Sequence, residues 1–404
     1  MMRRLRALAF GVSALIVLAL PGCSWSDLVD TDLPPDAVDL EVLKSGDGAV
    51  SVFRGALYVF RRAFGGSNMG YVVISGRLSD ELSTGAYFRE DLQATANHYD
   101  EIDKRAMEED NVLRSVAVES WYRNFNLARN QAADAIYYLR NFGTQQPVDL
   151  IGHMYAVRGM TMIFLAEIFC SGIPLSEYGS PSGHIYKPGS TTEEVFTLAV
   201  AQFDSALANL PDSVRLQHFA KVGKARALLN LGRFEEAAAA VADVPTNFQY
   251  KALFAMDREG SHANNWTWHV RANSNTENDV GTVADREGGN GLPFVSANDP
   301  RVPLIPAPTQ NTNYPNTTYM LPAWMFPNDA TWGGTGTEPK NGEDIVMANG
   351  IEARLIEAEA AVNRGDASFL QILNTLRTTC TDVATCPDPA PAGTGGVAGL
   401  PPLT

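Results

Sequence analysis

Two tryptophans and two asparagines occur together in the segment Asn-Asn-Trp-Thr-Trp-His, as Asn264, Asn265, Trp266 and Trp268. In an extended chain the side chains alternate between two faces, so both indole rings would lie on one face, about 6 to 7 Å apart. The neighbouring amides offer hydrogen-bond donors and acceptors. Because sugars present apolar C–H faces that stack on aromatic rings, this segment is a candidate contact for neighbouring sugar units. The alternative is that the same rings fasten a loop to the core.

Two further tryptophans, Trp324 and Trp332, lie in the same part of the chain, residues 258–349. This range is rich in Asn, Gly, Pro and Thr and has no helical periodicity. Its tryptophans argue against plain disorder, because disordered segments are poor in aromatic residues. We interpret the range as an ordered, loop-rich insertion and as the ligand-binding region, with Trp324 and Trp332 as additional candidate contacts.

Signatures of catalysis are absent from the sequence. It contains no Gly-x-Ser-x-Gly nucleophile motif, no His-Glu-x-x-His motif and no phosphate-binding Gly-x-x-x-x-Gly-Lys motif. The six histidines show no metal-ligand spacing. Acidic pairs such as Asp80 and Glu81 are more typical of a solvated surface than of the two opposed carboxylates of a glycosidase. We therefore predict no catalytic residue, no metal and no cofactor, and the net charge of −15 argues against nucleic acid as a partner.

The N-terminus carries the features of an export signal. Arg3, Arg4 and Arg6 precede an apolar run over residues 7–20, which is shorter than the roughly 20 residues that a membrane span needs. Leu-Pro-Gly-Cys follows and resembles a bacterial lipobox, at which signal peptidase cleaves before the cysteine. The sequence thus predicts a signal peptide over residues 1–22, lipidation of Cys23 and a tether over residues 23–40. The alternative is an uncleaved anchor helix with an incidental thiol.

The other three cysteines, Cys170, Cys380 and Cys386, match no zinc or redox motif. Outside the cytoplasm, Cys380 and Cys386 could close a small disulfide loop and leave Cys170 unpaired. Two free thiols on a loop are the equal alternative.

Helical periodicity dominates the rest of the chain, and the predicted helices must position the candidate ligand contacts. A Ser-Thr-Thr-Glu sequence predicts a capping box between Ser190 and Glu193. Apolar residues recur at steps of three and four in several segments and predict buried helix faces: Trp121, Phe125, Ala128, Ala132, Ala135 and Leu139; Ile151, Met154, Tyr155, Met162, Leu165 and Phe169; Val195, Ala199, Phe203, Ala206 and Leu210; Phe219, Val222, Ala225 and Leu229; Ile351, Leu355, Ala358 and Val362.

Two segments predict a helix, a tight turn at Gly232 or Gly365, and a second helix. They resemble tetratricopeptide repeats, although their spacing is irregular. The predicted fold class is mainly α: an irregular tetratricopeptide-like body of helical pairs over residues 41–257 and 350–379, interrupted by the insertion. A Gly/Pro-rich tail occupies residues 380–404.

Several segments together resemble the SusD/RagB-like nutrient-uptake lipoproteins of bacterial outer membranes. The lipobox cysteine with its acidic tether fits this family, and Trp121, Phe125 and Asn130 stand near the positions of a family Trp, Tyr and Asn helix. The helix with Arg158 that runs into Pro174 and Leu175 fits another family pattern, with Gly159 where Ala is usual. Asn298 to Arg301 resembles an Asp-Pro-Arg turn, and Glu352 to Asp366 resembles a family helix that ends in Ala-Glu-Ala.

This resemblance implies a function without catalysis. Such proteins sit on the cell surface over a SusC-like TonB-dependent transporter, capture glycans or peptides, and act as a lid that delivers them to the pore. The family normally continues beyond the last pattern found here, so this is either a short variant or a sequence truncated at the tail, and we expect truncation because a Gly/Pro-rich loop is an unusual C-terminus. Two alternatives remain: a tetratricopeptide-type scaffold lipoprotein for envelope assembly, and a surface polysaccharide hydrolase.

Overall fold

A computed structural model of the protein describes residues 40–66, 70–79, 112–177, 183–254 and 344–379, the short segments 304–306 and 320–322, and residues 296 and 403. These residues form ten helices: α1 Leu40–Leu43, α2 Gly46–Phe64, α3 Tyr71–Leu78, α4 Val112–Phe142, α5 Asp149–Ile168, α6 Thr192–Ala208, α7 Val214–Asn230, α8 Phe234–Val241, α9 Gly350–Arg364 and α10 Ser368–Thr379. Short strands make up the remaining regular structure of the described residues: β1 Ile173–Pro174, β2 Gly189–Ser190, β3 Gln249–Ala252, β4 Leu304–Pro306, β5 Met320–Pro322 and β6 Ile345–Asn349.

The longer helices pack on one another largely in chain order. Helix α2 packs on α4, α4 on α5, α5 on α6, α6 on α7, α7 on α8, α8 on α9, and α9 on α10. Each helix therefore buries one face against its predecessor and another against its successor, as stacked helical pairs do. The prediction of a mainly α, tetratricopeptide-like body is confirmed. No helix among the described residues is long and apolar enough to cross a membrane.

The predicted stripe on α4 is buried along its whole length. Trp121, Phe125, Ala128, Ala132 and Ala135 have no exposed surface. Trp121 is therefore a core residue, as its place in the stripe predicted. The stripe on α6, from Val195 to Leu210, is buried in the same way. Helix α5 is buried over most of its circumference, so its core-facing surface is wider than the stripe predicted.

Two glycines let three helices approach one another at Phe203. A Cβ on Gly159 of α5 would lie 2.9 Å from the Phe203 ring, and a Cβ on Gly223 of α7 would lie 2.4 Å from it. The Phe203 ring of α6 thus fills the space that a side chain at Gly159 or Gly223 would need. Gly159, which stands where the family usually has alanine, is explained by this packing.

The capping box of α6 lies one residue later than predicted. Thr191, not Ser190, accepts a hydrogen bond from Glu194 N at 3.1 Å, and Glu194 Oε2 accepts one from Thr191 N at 2.8 Å. Ser190 belongs to β2, where its carbonyl oxygen accepts from Gly172 N at 2.9 Å. Because strand pairing holds Ser190, the helix begins after it.

Both predicted helix–turn–helix units are present. Gly232 joins α7 to α8 with φ 70°, and Gly365 ends α9 with φ 69°. These left-handed conformations favour glycine. In each unit the second helix folds back on the first.

The predicted buried stripe on α9 is wrong in two of its four members. Leu355 is 46% exposed and Val362 is 53% exposed, whereas Ala358 is 3% exposed. The face that α9 turns inward is instead made largely of small residues, with Ala353 and Ala360 fully buried. Small side chains allow α8 and α10 to pack closely, and the larger apolar residues remain at the edge of the contact.

Candidate functional site

None of the side chains predicted to contact a ligand lies within the described residues: Asn264, Asn265, Trp266, Trp268, Trp324 and Trp332. Cys23 and the possible disulfide partners Cys380 and Cys386 also lie outside them, as does the Asp-Pro-Arg turn. Cys170 is described and is a free, exposed thiol just after α5. The structure does describe how the helical body holds the two ends of the segment that carries the predicted contacts.

Strands β3 and β6 form an antiparallel pair that brings both ends of this segment together. Gln249 pairs with Asn349, and Ala252 pairs with Ile345. Next to them, Asp344 Oδ1 accepts a hydrogen bond from Phe254 N at 3.1 Å, although 90 positions separate the two residues. The two ends of the segment between these strands thus lie next to each other. We call residues 249–254 with 344–349 the base.

The base packs against the end of α2. A Cβ on Gly65 would lie 2.6 Å from Ile345 Cδ1 and 3.4 Å from Phe254 Cζ. Both side chains are buried, and both belong to the core of the body. Since any larger residue at Gly65 would displace Ile345, the close approach of α2 fixes where the base sits.

The segment between the two halves of the base contains a second strand pair. Leu304 pairs with Pro322, and Pro306 with Met320, so β4 and β5 run antiparallel. The sequence predicts an ordered, loop-rich insertion over residues 258–349; β6 instead belongs to the buried core of the body, and β4 and β5 form a short strand pair that was not predicted. A strand of three residues lacks the length to give a visible alternation, which is why the pattern did not predict it.

Tyr250 fastens the first strand of the base to the body. Its hydroxyl lies 2.6 Å from His153 Nε2 of α5, and its ring stacks on Phe219 of α7 at a centroid distance of 3.8 Å. The guanidinium of Arg215 lies 5.4 Å from the centre of the same ring. Both α5 and α7 therefore hold this strand through one side chain.

Burial keeps the His153–Tyr250 pair uncharged. Burial, reinforced by the positive charges of Arg215 and Arg61, lowers the pKa of His153 to about 3. Burial also raises the pKa of Tyr250 to about 12, against the opposing effect of the same two arginines. At neutral pH the imidazole and the phenol are both neutral, so the pair is a hydrogen bond within the core.

The second strand of the base leads directly into α9. Asn349, the last residue of β6, is the N-cap of α9, and its side-chain oxygen accepts from Glu352 N at 2.7 Å. A Cβ on Gly350 would lie 2.0 Å from the carbonyl oxygen of Pro245. The strand-to-helix turn thus requires glycine at this position because the backbone of the preceding loop lies against it.

A charged cluster holds the start of α9 on the body. Arg226 of α7 donates to both oxygens of Glu167 at 2.7 and 2.6 Å, and it lies 4.0 Å from Glu352. Arg226 also donates to the hydroxyl of Tyr71, which in turn donates to Glu167 at 2.6 Å. We call Tyr71, Glu167, Arg226 and Glu352 the Arg226 cluster. It connects α3, α5, α7 and α9, and burial raises the pKa of Glu352 although Arg226 opposes that shift.

A hairpin lies at another surface of the body, between α5 and α6. Residues 172–177 run antiparallel to residues 185–190, with Ile173 paired to Ser190 and Glu177 bridged to Ile185. We call these two strands the Tyr186 hairpin, after a residue that is 86% exposed. Pro174 and Leu175, which carry part of the family pattern, belong to its first strand.

Ion pairs fix the Tyr186 hairpin to α5. Glu177 Oε1 accepts from Arg158 at 2.7 Å and from Lys187 at 3.0 Å. Although partial burial opposes ionisation, these two cations hold the pKa of Glu177 below its usual value. Arg158 of the family pattern is therefore a positioning residue for the hairpin. Arg129 of α4 reinforces this by donating to the carbonyl oxygen of Ser176.

Tyr250 and Asp344 of the base, and the four side chains of the Arg226 cluster, make hydrogen bonds or ion pairs with other described residues. Among the described residues, no group of three or more His, Cys, Asp or Glu side chains could hold a metal ion. The described contacts thus hold the two ends of the inserted segment at the base and fix the Tyr186 hairpin to α5.

Sequence reasoning did not find the residues that build this platform. Arg226 stands between the buried residues Ala225 and Ala227, and Glu167 lies at the end of a helix that is buried over most of its circumference. A charge within an apolar run was the available signal for both residues. The partnership itself could not be predicted, because 59 positions separate Glu167 from Arg226.

The fold is that of SusD-like proteins. A SusD-like carbohydrate-binding protein from Bacteroides vulgatus matches with a TM-score of 0.57 and 14% identity, over 89% of this chain and 77% of that one. Surface glycan-binding protein A from Bacteroides uniformis matches with a TM-score of 0.53 and 14% identity, over 82% of this chain and 80% of that one. A laminarin-binding SusD-like protein matches with a TM-score of 0.52 and 15% identity, over 82% and 84%.

The comparisons of sequence found no relative. No protein-family model matches the chain, and no curated protein matches it. The similarity to these proteins is therefore one of backbone fold alone.

Proposed function

We propose that this protein is a SusD-like lipoprotein of the outer membrane, which captures a glycan at the cell surface and passes it on without cleaving it. The observation that carries the proposal is the shared fold, which extends over 89% of the chain in the comparison with a carbohydrate-binding protein. Peptides are the second class of cargo that the family resemblance implies.

The geometry of the base supports a role in capture. A loop-rich segment whose two ends are clamped by paired strands can present side chains at a defined place on a rigid body. The clamp is built from a hydrogen bond to His153, the strand pairing and the packing of Phe254 and Ile345. The segment it holds carries the four tryptophans predicted to contact the ligand.

Delivery and anchoring form the second half of the proposal. Lipid attached at Cys23 would hold the protein at the membrane, because each buried CH2 contributes about 0.8 kcal/mol. A SusC-like TonB-dependent transporter is the proposed receiver of the cargo. The Cys23→Ala variant, expressed in the native cell, should retain its signal peptide and be lost from the outer-membrane fraction, because lipidation at the cysteine precedes cleavage and sorting. A variant that stays membrane-bound and processed like the wild type would contradict anchoring at this residue.

Capture is tested by affinity electrophoresis of the purified chain through gels that contain different polysaccharides, laminarin among them. We expect retardation by at least one neutral glycan, with an affinity between micromolar and millimolar (about −8 to −4 kcal/mol), since a capture protein must release its cargo. The Trp266→Ala/Trp268→Ala variant should lose retardation and keep its thermal midpoint. Normal retardation would place the contact elsewhere, with Trp324 and Trp332 as the next residues to replace, whereas unfolding would show that the rings are structural.

A further inference from the structure

Helix α10 belongs to the last helical pair that the structure describes, and its apolar side chains are incompletely covered. It packs mainly on α9. In a stack of helical pairs, a pair at the end has one face that no neighbouring pair buries. None of the residues from Ser368 to Thr378 is fully buried. Five of them are large and apolar, and none of the five belongs to the core of the body: Phe369, Leu370, Ile372, Leu373 and Leu376.

A residue that is distant in the chain is held against this helix. The backbone N–H of Leu403 donates to Asn374 Oδ1 at 2.7 Å, and Asn374 Nδ2 donates to the carbonyl oxygen of Leu403 at 3.2 Å. The two residues are 29 positions apart. One side-chain amide thus binds both backbone groups of one residue, as the backbone of a neighbouring β-strand does. Leu403 is 39% exposed, so more than half of its surface is covered.

The position of Asn374 on α10 places an apolar side chain beside the bound backbone. Leu370 precedes Asn374 by four positions, so the two side chains are neighbours on the helix surface. Both are half-buried. An extended segment that is bound at Asn374 therefore lies next to Leu370. This surface combines a group that recognises the backbone of any residue with an apolar group that suits a leucine.

We propose that Asn374 and Leu370 form a docking site for an extended chain segment, and that its occupant is the segment of this protein that contains Leu403. The docked segment covers part of the face of α10 that no other helical pair buries. This inference goes beyond the proposed function and does not depend on it, because it concerns how the helical body is closed and not what the protein captures.

The covalent connection favours the protein's own segment over that of a second copy. A tethered segment reaches its site at an effective concentration of about millimolar, whereas a purified protein is commonly studied at micromolar concentration. Pro401 and Pro402 precede Leu403. Proline restricts the conformations of the free chain, so the segment loses less entropy when it docks. The same hydrogen bonds made by a second copy would lack the advantage of the tether.

The exchange of the Leu403 amide hydrogen with water tests the docking directly. Labelling the whole chain with ¹³C-carbonyl proline and ¹⁵N-leucine selects the leucines that follow a proline, and the sequence contains three of them: Leu175, Leu304 and Leu403. We expect the Leu403 amide to exchange about tenfold more slowly than in a free peptide of residues 399–404, because its N–H is hydrogen-bonded. The rate should be the same at low and high protein concentration.

Two variants connect the slow exchange to Asn374. Asn374→Ala should raise the exchange rate of the Leu403 amide to that of the free peptide. Asn363→Ala is the matched control, because Asn363 is an exposed asparagine on α9 whose amide donates to Glu359 of its own helix. This control should leave the exchange slow. Leu175 is 3% exposed, and an unchanged position of its signal shows that the body stays folded in both variants.

Three results would overturn the inference. Exchange of the wild-type Leu403 amide at the rate of the free peptide would show that the segment does not dock. Exchange that stays slow in Asn374→Ala would show that this side chain is not the site. Slow exchange that appears only at high protein concentration would assign the site to the segment of a second copy.

Discussion

His153 and Tyr250 lie 97 positions apart in the chain and meet at 2.6 Å between imidazole Nε2 and phenol oxygen, inside the core. The contact joins α5 to the strand from which the inserted segment departs. Because both side chains are buried and neutral at physiological pH, the protonation of one histidine is coupled to the stability of the base.

This coupling predicts loss of stability in acid. The folded protein keeps His153 neutral down to a pKa of about 3, while the unfolded chain protonates it near 6.5. Between these values the unfolded state binds more protons, so stability falls as the pH falls, by at most about 1.4 kcal/mol per pH unit. Urea unfolding at several pH values from 7.5 to 4 measures this slope.

Two variants isolate the contribution of His153 to the slope. His153→Phe should flatten the dependence between pH 6.5 and 4. Tyr250→Phe should keep it, because burial rather than the hydrogen bond is the main cause of the low pKa, and should cost about 1 kcal/mol at pH 7. An unchanged slope in His153→Phe would show that other groups determine the acid sensitivity.

The packing of Phe203 between two glycines predicts a large cost for one methyl group. In Gly223→Ala the new Cβ would lie 2.4 Å from the Phe203 ring, so we expect destabilisation by about 1–3 kcal/mol. Gly55→Ala on α2 is the control, since nothing lies within 4 Å of its Cβ, and it should stabilise by about 0.5–1 kcal/mol. The thermal midpoints of the two variants should shift in opposite directions; equal shifts would mean that α6 and α7 are farther apart than described.

Removing the cation of the Arg226 cluster should destabilise the protein to an extent that depends on pH. Arg226→Met would leave Glu167 and Glu352, both less than one-third exposed, without their cation and should cost about 3 kcal/mol or more at pH 7. Because burial already raises the pKa of Glu352, the folded variant takes up protons more readily than the unfolded chain, so its stability is lost as the pH rises.

The same denaturant titrations at pH 5 and pH 7 measure this penalty. The deficit relative to the wild type should be smaller at pH 5, and adding Glu352→Gln should recover part of it at pH 7. A deficit that does not change with pH and is not relieved by Glu352→Gln would show that Arg226 contributes through packing alone.

The same substitution should change the stability of the protein to different extents at a buried and at an exposed position of α9. Ala358 is 3% exposed, so Ala358→Asp would place a carboxylate in the core and should destabilise by about 3 kcal/mol or more. Leu355→Asp, at a position that is 46% exposed, should change stability by about 0.5 kcal/mol or less. Thermal unfolding compares them directly, and equal destabilisation would show that the apolar edge of α9 is covered in solution.

Apolar periodicity predicted most of the helical body, because the spacing of buried residues follows the helix geometry directly. It predicted the core face of α4 from Trp121 onward and the turns at Gly232 and Gly365. It was wrong for Leu355 and Val362. The prediction gave more weight to large apolar residues, whereas the helices that flank α9 pack on its alanines. The Ser-Thr-Thr-Glu pattern placed the cap of α6 at Ser190, because a local pattern does not include the strand partner that holds this residue.

The candidate sites were less predictable than the body. Tyr250, Arg226 and the Tyr186 hairpin depend on partners that are distant in the chain, and a single sequence does not state which distant residues meet. The tryptophans at positions 266 and 268 were prominent because their spacing is local, and their contact with a ligand remains a prediction. Glu177 illustrates the difference. Nothing in the sequence distinguishes its carboxylate from other acidic groups, and its role follows only from its contacts with Arg158 and Lys187.

Capture of a glycan without cleavage is tested most directly by titrating the wild-type chain with a retained polysaccharide in a calorimeter and then recovering the polysaccharide. We predict saturable binding with a dissociation constant between micromolar and millimolar, and a recovered glycan of unchanged length with no new reducing ends. Absence of binding to every glycan in the panel would contradict the account, and so would the release of reducing ends from a bound glycan.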